Sequence, residues 1–181
     1  KRSEVIVGPH VIDKIDNIDA YSGRVFVVKS EGVLEIEEGK VKKKIVKLAD
    51  YLVSLYKSSA HPEWKWFESY LPYANSKLPE GLFYSYLATG EKECLNVAQE
   101  SLGFLISKTF SKNIFTPIGQ RGWYQEGGEK ALFDQQPIDA AYTVQTLLLA
   151  YKITGEKRYI RLALNCFLWF LGKNSLNQVI Y

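Results

Sequence analysis

Two hydrophobic rhythms divide the chain. Up to about residue 41, apolar residues come in short β-branched runs, Val5-Ile6-Val7, Val25 to Val28 and Val33 to Ile36, punctuated by Gly8, Gly23, Gly32 and Gly39. Runs of this kind bounded by glycine predict strands or extended arms, with Ser30-Glu31-Gly32 turning a hairpin between the last two. Beyond Gly39 the spacing lengthens, and Ile45, Leu48, Leu52 and Leu55 recur every three or four residues, the apolar stripe of an amphipathic helix. The pattern assigns residues 1–42 to an extended or β segment, compatible with the remnant of a preceding domain, and residues 43–181 to a helical domain.

Within the helical part, Thr89-Gly90-Glu91-Lys92 returns 65 residues later as Thr154-Gly155-Glu156-Lys157. The match continues on both sides. Leu82, Phe83 and Tyr86 correspond to Leu147, Leu148 and Tyr151, while Leu95, Ala98, Leu102 and Leu105 correspond to Ile160, Ala163, Phe167 and Phe170. Each copy reads as a helix ended by a glycine C-cap and followed at once by a second helix with Glu in its first turn, where the charge suits the dipole. So short a connection makes the two helices antiparallel. One hairpin cannot bury its stripe alone, so such hairpins stack into a solenoid or close into a toroid. The fold class expected is mainly α: a partial α/α toroid of antiparallel helical hairpins, with the short extended or β segment at its N-terminus.

The 181 residues are 46% hydrophobic with a formal charge of +3, which is ordinary for one globular domain. Lysines are mostly interleaved with acids, so no nucleic-acid footprint stands out. Cys94 and Cys166 each fall inside a predicted helix without CxxC spacing or nearby histidines, which points to buried apolar roles and to no metal. Neither a membrane span nor a signal-peptide core over Lys1 to Ala20 is visible, and a cytoplasmic location is expected. No cofactor is expected, and the familiar chemical signatures, GxSxG, the P-loop, GxGxxG and HExxH, are all missing.

Two clusters could carry chemistry. The first runs from His61 to Asn75, where Trp64, Trp66 and Tyr73 offer flat faces to sugar C–H surfaces while His61, Glu68 and Asn75 offer polar groups for hydroxyls. Alternatively, Trp66 and Phe67 are core residues and Glu68 is a cap. The second contains Arg121, Trp123 and Tyr124, then Asp134, Gln135, Gln136, Pro137 and Asp139. Paired amides both donate and accept, as sugar hydroxyls require; Asp134 and Asp139 equally suit a helix cap and first turn, with Pro137 at the first helical position. Glycoside chemistry needs two carboxylates flanking the bond, and Glu68 with Asp134 or Asp139 is the pair the sequence recommends. Among the histidines, His10 and His61, only His61 lies in a cluster.

Trp64 to Glu68, Leu71, Tyr73, Asn75 and Leu78-Pro79, then Phe133 to Ala140, Thr154-Gly155 and Trp169 to Asn174, together resemble the all-helical domain attached to prokaryotic glycosyltransferases, itself similar to six-hairpin glycosidases. The resemblance covers about residue 60 to 181; members carry Glu at the position of Asp139 and continue into further helices. It implies a carbohydrate-active domain that binds glycosides, and cleaves or transfers them, in a cleft at the N-terminal ends of the inner helices. The alternatives are a non-catalytic glycan-binding or scaffolding module of a glycosyltransferase and, more weakly, a sugar epimerase using His61. The implied partners are a carbohydrate or glycoconjugate and a glycosyltransferase domain or second chain completing the toroid.

Overall fold

A computed structural model of the chain describes residues 24–29 and 32–175. The run Val5-Ile6-Val7 and the turn residues Ser30 and Glu31 lie outside the described residues. The chain divides into two compact units, Lys1–Leu48 and Ala49–Tyr181. In the first, β1 (Arg24–Lys29) and β2 (Gly32–Glu37) pair antiparallel, from Arg24 opposite Glu37 to Lys29 opposite Gly32. Helix α1 (Glu38–Ser59) follows β2 with no intervening loop, so the expected division at residue 42 falls inside a helix. Gly39 does not delay it, because one glycine in a helix costs only about 1 kcal/mol against the periodic stretch that follows.

The second unit continues with β3 (Tyr70–Leu71), α2 (Lys77–Thr89), α3 (Lys92–Thr109), β4 (Phe110–Ser111), β5 (Ile114–Phe115), β6 (Tyr124–Gln125), α4 (Pro137–Thr154) and α5 (Lys157–Phe167). The fold is mainly helical, as the periodicity predicts. No helix among the described residues is long and apolar enough to cross a membrane.

The repeated turns have matching geometry. Gly90 and Gly155 both sit in the left-handed region, at φ 77° and 72°, and their amides bond back to Tyr86 and Tyr151 at 2.7 and 2.8 Å. In both copies the threonine hydroxyl before the glycine accepts from the Glu amide after it, Thr89 from Glu91 and Thr154 from Glu156, each at 3.2 Å. A local device thus folds each hairpin, α2 with α3 and α4 with α5.

Packing then joins the hairpins. Leu82, Ala98 and Leu102 of the first and Leu147 and Ala150 of the second are fully buried in one core, together with Phe67 and Trp66. From Ala74 with Asp139, through Lys77 with Tyr142 and Gln145, to Glu80 with Thr146, the contacts advance together along the two chains, so α2 and α4 run parallel where they meet. Lys77 lies over the Tyr142 ring and bonds Gln145 at 3.2 Å, and buried Glu80 meets the Thr146 hydroxyl at 3.4 Å.

Helix α1 differs in rotation from its expected stripe. Ala49, Val53 and Tyr56 are buried, Leu52 and Leu55 are half-buried, and Leu48 is exposed. Tyr56 accounts for this: its hydroxyl donates to Glu100 at 3.1 Å and its ring meets Phe67 edge-on at 5.3 Å, while Lys57 pairs with Glu93. These anchors turn that face of α1 inward.

Truncating the shared core tests this packing. Leu82→Ala and Leu147→Ala should each lower unfolding stability by ~2–5 kcal/mol, read as a fall in denaturant midpoint at an unchanged m-value.

Candidate functional site

The clusters read from the sequence meet because β3 and β6 pair, Tyr70 opposite Gln125 and Leu71 opposite Tyr124. The pairing lays the 61–75 segment against the 119–136 loop. Tyr70 stacks on Trp123 with ring centroids 5.5 Å apart and planes 12° from parallel, and the Trp123 indole remains partly open to solvent. Beside them, exposed His61 bonds Glu63 at 3.1 Å through Nδ1 and Glu126 through Nε2. Glu126 first, then Glu63, holds the imidazole pKa above its ordinary value.

The loop is held by its own backbone and by two close approaches. Gly119 donates to Ala131 at 2.8 Å and Ala131 to Trp123 at 2.9 Å. A Cβ on Gly119 would fall 2.0 Å from the Phe133 carbonyl oxygen, so only glycine fits there. Lys130 reaches the carbonyls of Lys108 at 2.9 Å and Thr116 at 3.3 Å, placing a cation on the last turn of α3; burial pushes its amine pKa down. Ala74, Trp123 and Asp134 adopt left-handed φ values of 53°, 56° and 62°. Such strain costs about 1 kcal/mol or more per residue, and its gathering around these two segments marks them as over-determined.

A second group lies at the N-terminal ends of α2 and α4. Asp139, in the first turn of α4, is 6% exposed and accepts the Ala74 amide on Oδ1 at 2.7 Å. Its Oδ2 is buried without a partner, as is the Ser76 hydroxyl at the start of α2. Both line one small cavity with Asn75, Thr109 and Thr143 on its polar side and Leu105, Phe115 and Ile118 on its apolar side. The empty space is about 200 Å³ including the part open to solvent, and the interior has room for about one water molecule. Burial raises the Asp139 pKa from 3.8 to about 6, with the Ala74 hydrogen bond opposing it. A carboxyl with that environment holds its proton in mildly acidic solution and can donate it.

The remaining residues take up structural contacts. Trp64 and Trp66 are core side chains: Trp64 meets Phe104 edge-on at 5.0 Å and donates to the Glu68 carbonyl at 2.6 Å, and Trp66 is fully buried against Phe67. Neither indole offers a face to a sugar, because the aromatic interior of this unit needs their bulk. Half-buried Tyr124 packs edge-on against Trp64 at 5.3 Å. Gln135 accepts from the Trp169 indole at 3.1 Å and donates to the Leu132 carbonyl at 2.9 Å, and Gln136 donates to Asp134 at 3.2 Å. Gln136 is the N-cap residue of α4, with no side-chain cap bond, and Pro137 holds the first helical position as expected. Asn75 is buried and donates to the Pro72 carbonyl at 3.3 Å, whereas Tyr73 and Arg121 are exposed.

Glu68 is half-buried and does not line the cavity that holds Asp139, so these two carboxylates are not brought to a common pocket. Tyr70, Glu126, Ser76, Thr109 and Thr143 join the groups without having been singled out from the sequence. Only Ser76 carried a local signal, as a cap-type residue just before a helix. Among the described residues no group of His, Cys, Asp and Glu is arranged to hold a metal ion. No family model, curated protein or solved structure matches the chain.

The titrations give two tests. Folded Asp139 binds its proton more tightly than the unfolded chain, so its contribution to stability is complete below pH 3.8 and is lost as pH rises through about 6. The loss amounts to about 3 kcal/mol, and Asp139→Asn should flatten that slope in denaturant melts taken across the window. For His61, NMR titration of the ring protons should give a pKa above 6.5, falling back toward it in Glu126→Gln.

Proposed function

We propose that this chain is a carbohydrate-binding helical module of the α/α-toroid type, and that glycans lie across the surface formed where the 61–75 segment meets the 119–126 loop. The observation that carries this reading is the Tyr70–Trp123 stack, in which Trp123 remains 37% exposed. Sugar C–H faces pack on such rings, and exposed polar groups of the same two segments, Arg121, Tyr73 and the His61–Glu126 pair, offer donors and acceptors for hydroxyls. The tight cavity at Asp139 supports surface binding over an enclosed active site, since ligand pockets ordinarily hold ~300 Å³ or more. The likeness to glycosyltransferase-associated domains points the same way, and it implies that the module serves a catalytic domain.

A catalytic reading has one specific support. Asp139 keeps its proton up to about pH 6 and leaves one oxygen free, as a general acid in glycoside cleavage would. Under that reading the site opens to admit the bond to be cleaved.

Trp123→Ala should weaken glycan-array or calorimetric binding at least tenfold, ~1.4 kcal/mol or more, with the far-UV circular dichroism unchanged. Unaltered binding would sink the platform. Turnover of a bound glycan that disappears in Asp139→Asn while binding persists would establish the catalytic reading instead.

A further inference from the structure

We infer that His61 is a pH-operated latch: as an imidazolium it ties its own turn to the facing loop at Glu126, and on losing a proton it lets that tie go. The inference rests on hydrogen-bond geometry and is independent of the glycan reading. Nδ1 of His61 meets Glu63 at 3.1 Å and Nε2 meets Glu126. An ionised carboxylate can only accept, so both ring nitrogens must carry protons for both bonds to form, and only the imidazolium carries two. In either neutral tautomer one nitrogen turns a lone pair toward a carboxylate oxygen, and the charge that strengthens the other bond is gone. Glu63 sits two residues away on the same turn, whereas Glu126 is 65 residues distant, so only the second bond holds two parts of the chain together.

Both ends of the tie are set in advance by the backbone. His61 and Trp64 exchange amide hydrogen bonds at 3.0 and 3.1 Å, and the Trp64 ring is buried in the core, which fixes that turn. On the other side the Glu126 amide donates to the Ser69 carbonyl at 2.8 Å, next to the Tyr70–Gln125 pair. Gly127, at φ 71°, then turns the chain back so that the Gly128 amide reaches the Gln125 carbonyl at 3.0 Å. Side chains that project from two fixed turns lose little further freedom on pairing, the cost that makes most exposed ion pairs weak. Lys65 and Lys130, on the same two segments, are engaged with Glu100 and with the carbonyls of Lys108 and Thr116. Glu126 and Glu63 are the charges that act on the ring, and both raise its proton affinity. Linkage is reciprocal, so the factor by which Glu126 strengthens proton binding is the factor by which the proton favours the docked loop. The latch is closed below the raised pKa and opens as pH climbs through it.

Amide hydrogen exchange of the full chain, read at position 126, tests this, because the amide there bonds across the junction to Ser69. Asp139 also titrates near pH 6, so His61→Gln, which leaves Asp139 in place, supplies the baseline. After correction for intrinsic rates, protection in the parent chain should fall at least about threefold more than in His61→Gln as pH rises through the midpoint of the His61 ring, followed by NMR in the same sample. Glu126→Gln, which keeps an acceptor and removes the charge, should abolish that excess. Glu63→Gln should lower the ring midpoint and leave the excess in place. The same pH dependence in the parent and His61→Gln overturns the inference, as does an excess that survives Glu126→Gln or vanishes in Glu63→Gln.

Discussion

The seam between α2 and α4 is the contact on which the rest of the second unit depends. Each hairpin folds locally at its glycine turn, but its apolar stripe stays wet until the other hairpin arrives. Leu82, Leu147 and Ala150 lose all contact with water in doing so, each leucine contributing roughly 1.5–3 kcal/mol. Because the helices meet in parallel, their N-terminal ends lie together, and the segments that lead into them are forced into proximity. The β3–β6 pairing, the Tyr70–Trp123 stack and the Ala74–Asp139 bond all follow from that one alignment.

That alignment also sets a cost. Asp139 takes the Ala74 amide in a place too dry for a free carboxylate, so its proton affinity rises and its second oxygen is left without a partner. The carboxylate therefore stabilises the junction between α2 and α4 through one oxygen and destabilises it through the other. Ser76, equally buried and unpaired, adds to the same imbalance. A fold optimised only for packing would have apolar atoms at both positions, since an unsatisfied buried polar group costs about 1–3 kcal/mol. Both lie close to Ala74 in its left-handed conformation, so unpaired polar groups and backbone strain coincide at this junction.

Much of the helical scaffold was legible in the sequence, because its signals are local. The Thr-Gly-Glu-Lys turns, the Pro137 start and the periodic Leu82/Leu147 and Ala98/Ala163 pairs each depend on residues a few positions apart. The aromatic cluster was harder to read. Trp64 and Trp66 are chemically as able to bind sugar as Trp123, and their side chains do not reveal which will be covered; burial against Phe104 and Phe67 makes the first two core and leaves the third as surface. The amides Gln135 and Gln136 were ambiguous for the same reason, being equally fit for a ligand or for Trp169 and Asp134.

What the sequence by itself determined is the hairpin: its turn, its antiparallel helices, its repeat and the end of the inner helices at which polar and aromatic residues gather. Periodicity and capping act over one or two turns of chain, and the amino acids alone carry that information. Only the tertiary structure decided which face of α1 turns inward, that His61 meets Glu126 and Asp139 meets Ala74, and that Glu68 stays away from the cavity. Those outcomes depend on contacts between residues tens of positions apart, and on competition for a limited interior that no local pattern encodes. The repeat itself shows the difference, since Leu102 and Phe167 occupy the same place in the same sequence motif, and one is fully buried while the other is half exposed.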